Sequence, residues 1–204
     1  MNAQPFFVTG LPRSRTTWLA NWLTAGRAFC FHDLLADCAR VEDMQGYFQD
    51  VAHGHKLAYV GNADSGLPLV WRKVQQVFPA ARWLVVERDM DEALMSCERY
   101  FRTRPYAGTE GTLGLREMRE AFKKLRAGIK ELSAALPEGS VFKVPFDGLD
   151  RMDEAEKAWK FLLPTEPFNI DRWALLDGMR INPAPEKRRV DPARYQAMMQ
   201  EARC

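Results

Sequence analysis

The sequence lacks long hydrophobic runs, a large excess of either charge and any closely spaced cysteine pair. No apolar stretch approaches the roughly 18 residues of a membrane-spanning helix, so we expect no membrane partner. The 29 Lys plus Arg nearly balance the 27 Asp plus Glu, giving a formal net charge of +2, which argues against a nucleic-acid partner. Without a signal peptide or a disulfide framework, a cytoplasmic protein with reduced thiols is predicted. The thiols are Cys30, Cys38, Cys97 and Cys204.

What is present is the composition of an ordinary globular protein, with 47% hydrophobic and 27% charged residues among 204. That length predicts one domain, residues 1–204, large enough to form a core without structural metal. The pairs Cys30-x-His32 and His53-x-His55 lack the second half of a zinc pattern, so no metal site is predicted.

Short apolar runs alternate with amphipathic segments along the chain. Strands that alternate with helices predict an α/β fold, a three-layer sandwich with a central mostly parallel sheet flanked by helices. The predicted strands are 6–10, 28–32, 57–61, 83–87 and 140–145. The predicted helical segments are 16–25, 34–53, 67–78, 90–103, 115–136 and 153–163.

Segment 115–136 has apolar residues at heptad spacing. This pattern predicts a long helix that packs on its own domain, with a coiled-coil dimer as the alternative. The oligomeric state is left open. Beyond residue 163, Pro164, Pro167, Pro183 and Pro185 predict an irregular tail.

The first loop, residues 10–17, joins an apolar strand to a helix and carries two arginines and three hydroxyls. Such a loop is suited to an anion, because the first N–H groups of a helix lack internal partners and arginine adds charge-assisted hydrogen bonds. The simpler alternative is that a hydroxyl only caps the helix. The loop departs from the nucleoside-triphosphate pattern G-x-x-x-x-G-K-[ST] at Arg15 and Thr16, which argues against ATP or GTP hydrolysis.

The same loop resembles the P-[KR]-S-G-T-T-W loop of sulfotransferases, matching six of its seven positions. In that family the loop binds the 5′-phosphosulfate of 3′-phosphoadenosine 5′-phosphosulfate (PAPS), so the resemblance implies a short, bacterial or phage-like, PAPS-dependent enzyme of the P-loop fold. The implied PAPS-binding residues here are Pro12, Arg13, Ser14, Arg15, Thr16, Thr17 and Trp18. Arg13 would also stabilise charge on the leaving oxygen, and Trp18 would stack on adenine.

A second resemblance follows the strand at 83–87. The family's R-x-P-x-D motif, with a serine eight residues after the arginine, holds the 3′-phosphate; Arg88 and Ser96 keep that spacing. From the residues alone, both side chains would face the ligand crevice of an open α/β sheet. Pairing of Arg88 with Asp89 or Asp91 is the alternative.

Two departures from the family are important. Arg15 stands where the family has a glycine, so that either Arg15 is a second anion clamp or the donor site is remodelled. The histidine of the family's K-T-H-[LM]-P motif, its general base, corresponds to Gly66. A substitute base is therefore expected at the ends of other strands. His32 is the preferred candidate because its ordinary pKa suits proton abstraction near neutrality, and Asp64 and Asp33 are the others.

The resemblance implies transfer of a sulfuryl group to the hydroxyl of a small-molecule or carbohydrate acceptor, without metal. The alternatives are a P-loop phosphotransferase of altered specificity and a non-catalytic binder of 3′,5′-bisphosphate nucleotides. Residues 100–114 are a candidate lid over the acceptor. The basic run 187–189 is interpreted as a solvated turn.

Overall fold

The computed structural model describes residues 3–103 and 115–177. The strands are Gln4–Gly10 (β1), Ala28–His32 (β2), Tyr59–Ala63 (β3), Arg82–Glu87 (β4) and Val141–Pro145 (β5). The α-helices are Thr16–Trp22 (α1), Met44–His55 (α2), Leu67–Val77 (α3), Met90–Thr103 (α4), Leu115–Ala135 (α5), Met152–Leu162 (α6) and Ile170–Asp177 (α7). A 3-10 helix, Phe146–Asp150, follows β5 directly and is named the β5 turn.

The five strands form one sheet in the order β2-β3-β1-β4-β5, with every neighbouring pair parallel. The predicted α/β class with a central parallel sheet is confirmed. Parallel neighbours need crossover connections, and helices supply them here. Since all strands run the same way, all their carboxyl ends lie at one edge of the sheet.

Side chains of the central strand β1 alternate between the two faces, as a pleated strand requires. Phe6 and Val8 join a core that includes Trp22 of α1 and Trp159 of α6, whereas Phe7 joins a second core on the other face. The second core takes buried side chains from α2, α3 and α5, including Phe48, Trp71 and Leu132. Burying each such large side chain contributes about 2 kcal/mol. Helices therefore cover both faces and complete the three layers.

Several predictions for individual elements were wrong. The strand predicted at 57–61 lies at Tyr59–Ala63. Helix α1 ends at Trp22, not at residue 25, since the Thr24 hydroxyl donates to the Ala20 carbonyl (2.8 Å) and accepts from the Cys30 amide (3.0 Å). Segment 34–53 is interrupted by the 3-10 helices Leu34–Asp37 and Val41–Asp43 before α2 begins. The predicted irregular tail contains α7.

The heptad pattern belongs to a helix that packs within its own chain. Met118, Phe122 and Leu125 of α5 are buried with residues of α4, and Leu132 is buried in the core below α3. Gly128 permits close approach of α3, because a Cβ there would lie 2.3 Å from the Pro68 carbonyl oxygen.

Three of the four cysteines, Cys30, Cys38 and Cys97, are free thiols as predicted, and Cys204 lies outside the described residues. Most of the candidate lid and the run 187–189 also lie outside them. No helix in the described ranges has the length and apolarity to cross a membrane.

Candidate functional site

The register of the sheet brings the sequence-predicted residues to its carboxyl edge. His32 at the end of β2 is paired with Ala63 at the end of β3, and Gly10 at the end of β1 is paired with Val86. Asp33, Asp64, the first loop and Arg88 follow these positions directly. Open parallel sheets bind ligands at this edge.

The first loop turns tightly over the end of β4. A Cβ at Gly10 would lie 2.8 Å from the Val86 carbonyl oxygen, so that only glycine fits at the start of the loop. The Ser14 amide donates to the Leu11 carbonyl at 3.1 Å. Arg13 (φ 69°) and Arg15 (φ 62°) are both left-handed, a conformation that costs a non-glycine residue about 1 kcal/mol or more. Strain of this kind is concentrated at functional sites.

Arg15 therefore keeps the backbone conformation for which a glycine is suited, and the loop retains its turn despite the substitution. Its side chain leaves the loop and pairs with Asp150 of the β5 turn. Its guanidinium carbon lies 4.6 Å from the centroid of the Phe146 ring. The first loop is thereby tied to the β5 turn.

Ser14 lies at the centre of the loop and is fully buried. Its hydroxyl oxygen meets no hydrogen-bond partner within residues 3–103 and 115–177. A buried polar atom in this state costs about 1 to 3 kcal/mol and calls for an explanation. A bound anion or water would satisfy it.

Arg88 reaches across from β4 to the same loop. One of its terminal nitrogens donates to the Arg13 carbonyl, and its guanidinium carbon lies 4.0 Å from the Phe146 centroid. Its Nε is buried and has no hydrogen-bond partner in the described parts of the chain. The alternative that Arg88 pairs with Asp89 or Asp91 is not what the structure shows. Asp89 accepts the amides of Asp91 and Glu92, and Asp91 pairs with Arg119.

Charges of both signs act on the Arg88 guanidinium. Burial lowers the pKa of the Arg88 guanidinium. The negative charges of Glu92 and Asp147 oppose this shift, whereas the positive charges of Arg13 and Arg15 add to it. An anion placed among the three guanidiniums would relieve their mutual repulsion.

One face of helix α4 lies beside Arg13 and Arg88. The guanidinium carbon of Arg13 lies 4.5 Å from the ring centroid of Tyr100. Glu92, Ser96 and Tyr100 are four residues apart, which places them on one face of α4. Ser96 therefore lies between a residue that acts on Arg88 and one that contacts Arg13.

His32 contacts the other end of the loop. Its Nε2 lies 3.0 Å from the Thr17 hydroxyl oxygen and 3.3 Å from that of Thr16. Its Nδ1 lies 3.5 Å from an Asp33 carboxylate oxygen, and only 9% of the imidazole side chain is exposed. A carboxylate, an imidazole and two hydroxyls thus form one chain of polar contacts, in which the tautomer of His32 decides which atoms donate.

Asp64 has structural partners instead. Its carboxylate accepts the amides of Gly66 (2.7 Å) and Leu35 (3.3 Å), and its own carbonyl accepts the Thr9 hydroxyl (2.9 Å). Burial raises the pKa of the Asp64 carboxyl, and the charge of Asp33 adds to this, while the two amides oppose it. With both oxygens engaged by backbone, Asp64 is less suited than His32 to take a proton from a substrate.

Two further predicted residues have ordinary environments. Pro12 is half-buried at the tip of the loop. Trp18 is 6% exposed and packs in the core, with its ring centroid 5.2 Å from that of Trp22. Stacking of Trp18 on adenine would therefore require uncovering of its ring.

Sequence reasoning missed Phe146, Asp150 and Tyr100 as neighbours of the arginines. No spacing rule links Phe146 and Asp150 to Arg15, and Asp150 lies 135 positions after it. Only the parallel pairing of β5 with β4, in which Glu87 is opposite Pro145, brings the β5 turn beside Arg88. Within the described ranges, no cluster of three or more His, Cys, Asp or Glu is arranged to hold a metal.

No protein-family model matches the chain, and no curated protein matches its sequence. Solved structures do match. The sulfotransferase domain from the curacin biosynthetic pathway superposes with a TM-score of 0.61 at 13% identity, over 83% of this chain and 76% of that domain. The sulfotransferase from Alicyclobacillus acidocaldarius gives 0.61 at 16% identity, over 89% and 87%. Mouse sulfotransferase SULT7A1, solved in complex with PAP (3′-phosphoadenosine 5′-phosphate), superposes with a TM-score of 0.55 at 13% identity, over 85% of this chain and 63% of that protein.

These likenesses show that the chain has the fold found in sulfotransferases. The fold to which the first loop and the Arg88 motif point is therefore confirmed. The identities of 12 to 16% are too low to carry the substrate over from any of these proteins.

Proposed function

We propose that this protein is a sulfotransferase that moves a sulfuryl group from PAPS to the hydroxyl of an acceptor. The observation that carries the proposal is a pair of buried polar atoms, Ser14 Oγ and Arg88 Nε, that have no hydrogen-bond partner among the described residues. They lie on the two motifs that resemble the donor-binding motifs of sulfotransferases, and the fold is the one those enzymes share. Buried groups of this kind are suited to a bound anion.

The proposed donor site divides between the two motifs. Ser14, Thr16 and Thr17 hold the 5′-phosphate with their hydroxyls, while Arg13 stabilises negative charge that develops on the leaving oxygen. Arg88 and Ser96 hold the 3′-phosphate. The residues present fit this ligand, since the guanidiniums of Arg13, Arg15 and Arg88 act on one another electrostatically and a molecule with two phosphate groups would neutralise their charge. When bound, PAPS supplies the sulfuryl group.

His32 is the proposed general base. It lies beside the hydroxyls of Thr16 and Thr17, so a proton acceptor is available next to the 5′ end of the donor. To accept the proton of an incoming hydroxyl, Nε2 must give up its contact with Thr17. Asp33, on the Nδ1 side, orients the ring and stabilises the imidazolium that forms.

The acceptor is proposed to be a small molecule or a carbohydrate. The free thiols of Cys30, Cys38 and Cys97 are consistent with the reducing cytoplasm as its location.

Calorimetric titration with 3′-phosphoadenosine 5′-phosphate (PAP), AMP and ATP tests the donor site. We expect PAP to bind in preference to AMP and ATP, and Arg88→Ala to weaken PAP by about a hundredfold, the effect of losing a buried charge-assisted contact of about 3 kcal/mol. Arg82→Ala is the matched control, because Arg82 begins the same strand and donates to the Phe161 carbonyl at the opposite edge. Equal binding of ATP would favour a P-loop phosphotransferase, and failure of PAP to bind would refute the proposal.

One observation favours a second candidate, a protein that binds the bisphosphate nucleotide without turnover. The family's histidine position is Gly66, and the imidazole of His32 already contacts the loop hydroxyls. An acceptor screen with labelled PAPS separates the two candidates. Transfer that falls at least a hundredfold in His32→Ala, with PAP affinity kept within threefold, supports the enzyme. Tight PAP binding with no transfer to any acceptor supports the binding protein.

A further inference from the structure

Arg15 is the residue at which this chain departs most from the sulfotransferase loop, and its placement suggests a function of its own. It takes a left-handed conformation, for which glycine is best suited. The side chain is therefore an addition at a position where glycine would allow the same turn. This added guanidinium lies beside the proposed phosphate site, where it could bind part of the ligand.

The ion pair between Arg15 and Asp150 is weak. The Arg15–Asp150 pair is at the surface, where the two side chains are 24% and 43% exposed. Ion pairs with this degree of exposure contribute about 0 to 1 kcal/mol. A ligand phosphate, which carries more charge than a carboxylate, would compete well for this guanidinium.

The position of the Arg15 guanidinium indicates which phosphate of PAPS it would bind. The Arg15 guanidinium lies against the ring of Phe146, which follows β5, whereas His32 ends β2 at the opposite side of the sheet. Arg88 lies against the same ring, at 4.0 Å from its centroid compared with 4.6 Å for Arg15. The two guanidiniums thus share one aromatic support at the end of the site proposed for the 3′-phosphate.

From this geometry we infer that Arg15 is a specificity-determining residue that exchanges Asp150 for the 3′-phosphate of the nucleotide. The inference rests on the proposed function, since it names a ligand group of the same site. Asp150 acts as a competing anion that holds the guanidinium in place beside Phe146 until the nucleotide binds. Only hydrogen bonds are exchanged, and no covalent step is involved.

The test uses Arg15→Gly and Asp150→Asn, singly and together, with PAP and AMP as the two ligands. Arg15→Gly restores the residue that suits φ 62° and so preserves the loop. We expect it to weaken PAP about tenfold and to leave AMP, which lacks the 3′-phosphate, unchanged. Asp150→Asn removes the competitor, so we expect PAP to bind about twofold to threefold more tightly. In the Arg15→Gly background, Asp150→Asn should have no further effect.

The pair formed by Arg72 and Glu131, 2.9 Å apart on α3 and α5, supplies matched controls. Arg72→Ala and Glu131→Gln change the net charge by the same amounts away from the site, and PAP affinity should be unchanged in both. If Asp150→Asn weakens PAP as much as Arg15→Gly does, the ion pair only positions the loop and the inference is wrong. It is also wrong if Arg15→Gly leaves PAP affinity unchanged or weakens AMP equally. If the wild-type protein binds no PAP, the proposed function fails, and the inference fails with it.

Discussion

Glu166, at the amino edge of the sheet, differs from Ser14 and Arg88, at its carboxyl edge, in whether its buried polar atoms have partners. At the amino edge, the Glu166 side chain is 7% exposed and its carboxylate accepts the backbone amide of Arg27 at 3.1 Å and the Arg27 guanidinium at 3.0 Å. The Glu166 carbonyl accepts the Trp159 indole N–H at 3.0 Å. At the carboxyl edge, Ser14 Oγ and Arg88 Nε are buried without hydrogen-bond partners in the described ranges.

This difference separates structural polarity from functional polarity. Buried polar groups are usually satisfied within the fold, as Glu166 is. Unpartnered buried atoms also occur elsewhere in the described residues, on Trp22, Trp71 and Ser133. What distinguishes Ser14 and Arg88 is therefore that both lie on motifs that resemble donor-binding motifs. A groove of about 340 Å³ lies beside Glu166 and is lined in part by Trp159, Phe168 and Ile170. The buried carboxylate there is already occupied by Arg27, so the groove by itself indicates no charged ligand. At the carboxyl edge, a bound anion would supply the partners that Ser14 and Arg88 lack within the described ranges.

The largest effect is expected from Glu166→Ala at the amino edge. Removing the carboxylate deprives the Arg27 amide of its acceptor and leaves a cavity, so the free energy of unfolding should fall by about 2 kcal/mol. PAP affinity should be unchanged. Chemical denaturation and calorimetry measure the two quantities. Glu156→Ala, which removes an exposed carboxylate paired with Lys160 on α6, is the control and should cost less than about 0.5 kcal/mol. A loss of PAP affinity in Glu166→Ala would show that the two edges are coupled.

A smaller effect, on PAP affinity and not on stability, is expected from Ser14→Ala. The hydroxyl has no partner to lose in the described ranges, so the free energy of unfolding should be unchanged or slightly higher. PAP affinity should fall about fivefold, the equivalent of one hydrogen bond of about 1 kcal/mol. Thr24→Ala is an informative comparison, because its buried hydroxyl is satisfied by Ala20 and Cys30 and its loss should affect stability alone. If Ser14→Ala destabilises the fold and leaves PAP affinity intact, Ser14 is structural.

The sequence predicted what depends on local patterns. The strands, the fold class, and the positions of Arg88 and the first loop follow from apolar periodicity and motif spacing. Contacts made across the sheet could not be predicted, because Arg15 with Asp150 and Arg88 with Phe146 depend on which strands become neighbours. The single helix predicted at 34–53 was wrong for the same reason. Its first turn is held by Asn62 and Asp64 of a distant strand end, through the amides of residues 34 and 35.

The smallest effect distinguishes two carboxylates within the carboxyl edge itself. Burial raises the pKa of Asp64, whereas amide hydrogen bonds, that of Glu92 first, lower the pKa of the exposed Asp89. Folded Asp64 therefore binds a proton more readily than the unfolded chain, and its contribution to stability is lost as pH rises from the ordinary aspartate pKa through the raised value. The contribution of Asp89 is present above the ordinary pKa and is lost as pH falls through the lowered value. We therefore compare two differences in the free energy of unfolding, wild type minus Asp64→Asn and wild type minus Asp89→Asn. These two differences should change in opposite directions with pH. Parallel changes would mean that the amide hydrogen bonds of Asp64 outweigh its burial and lower its pKa in the fold, which would contradict this prediction.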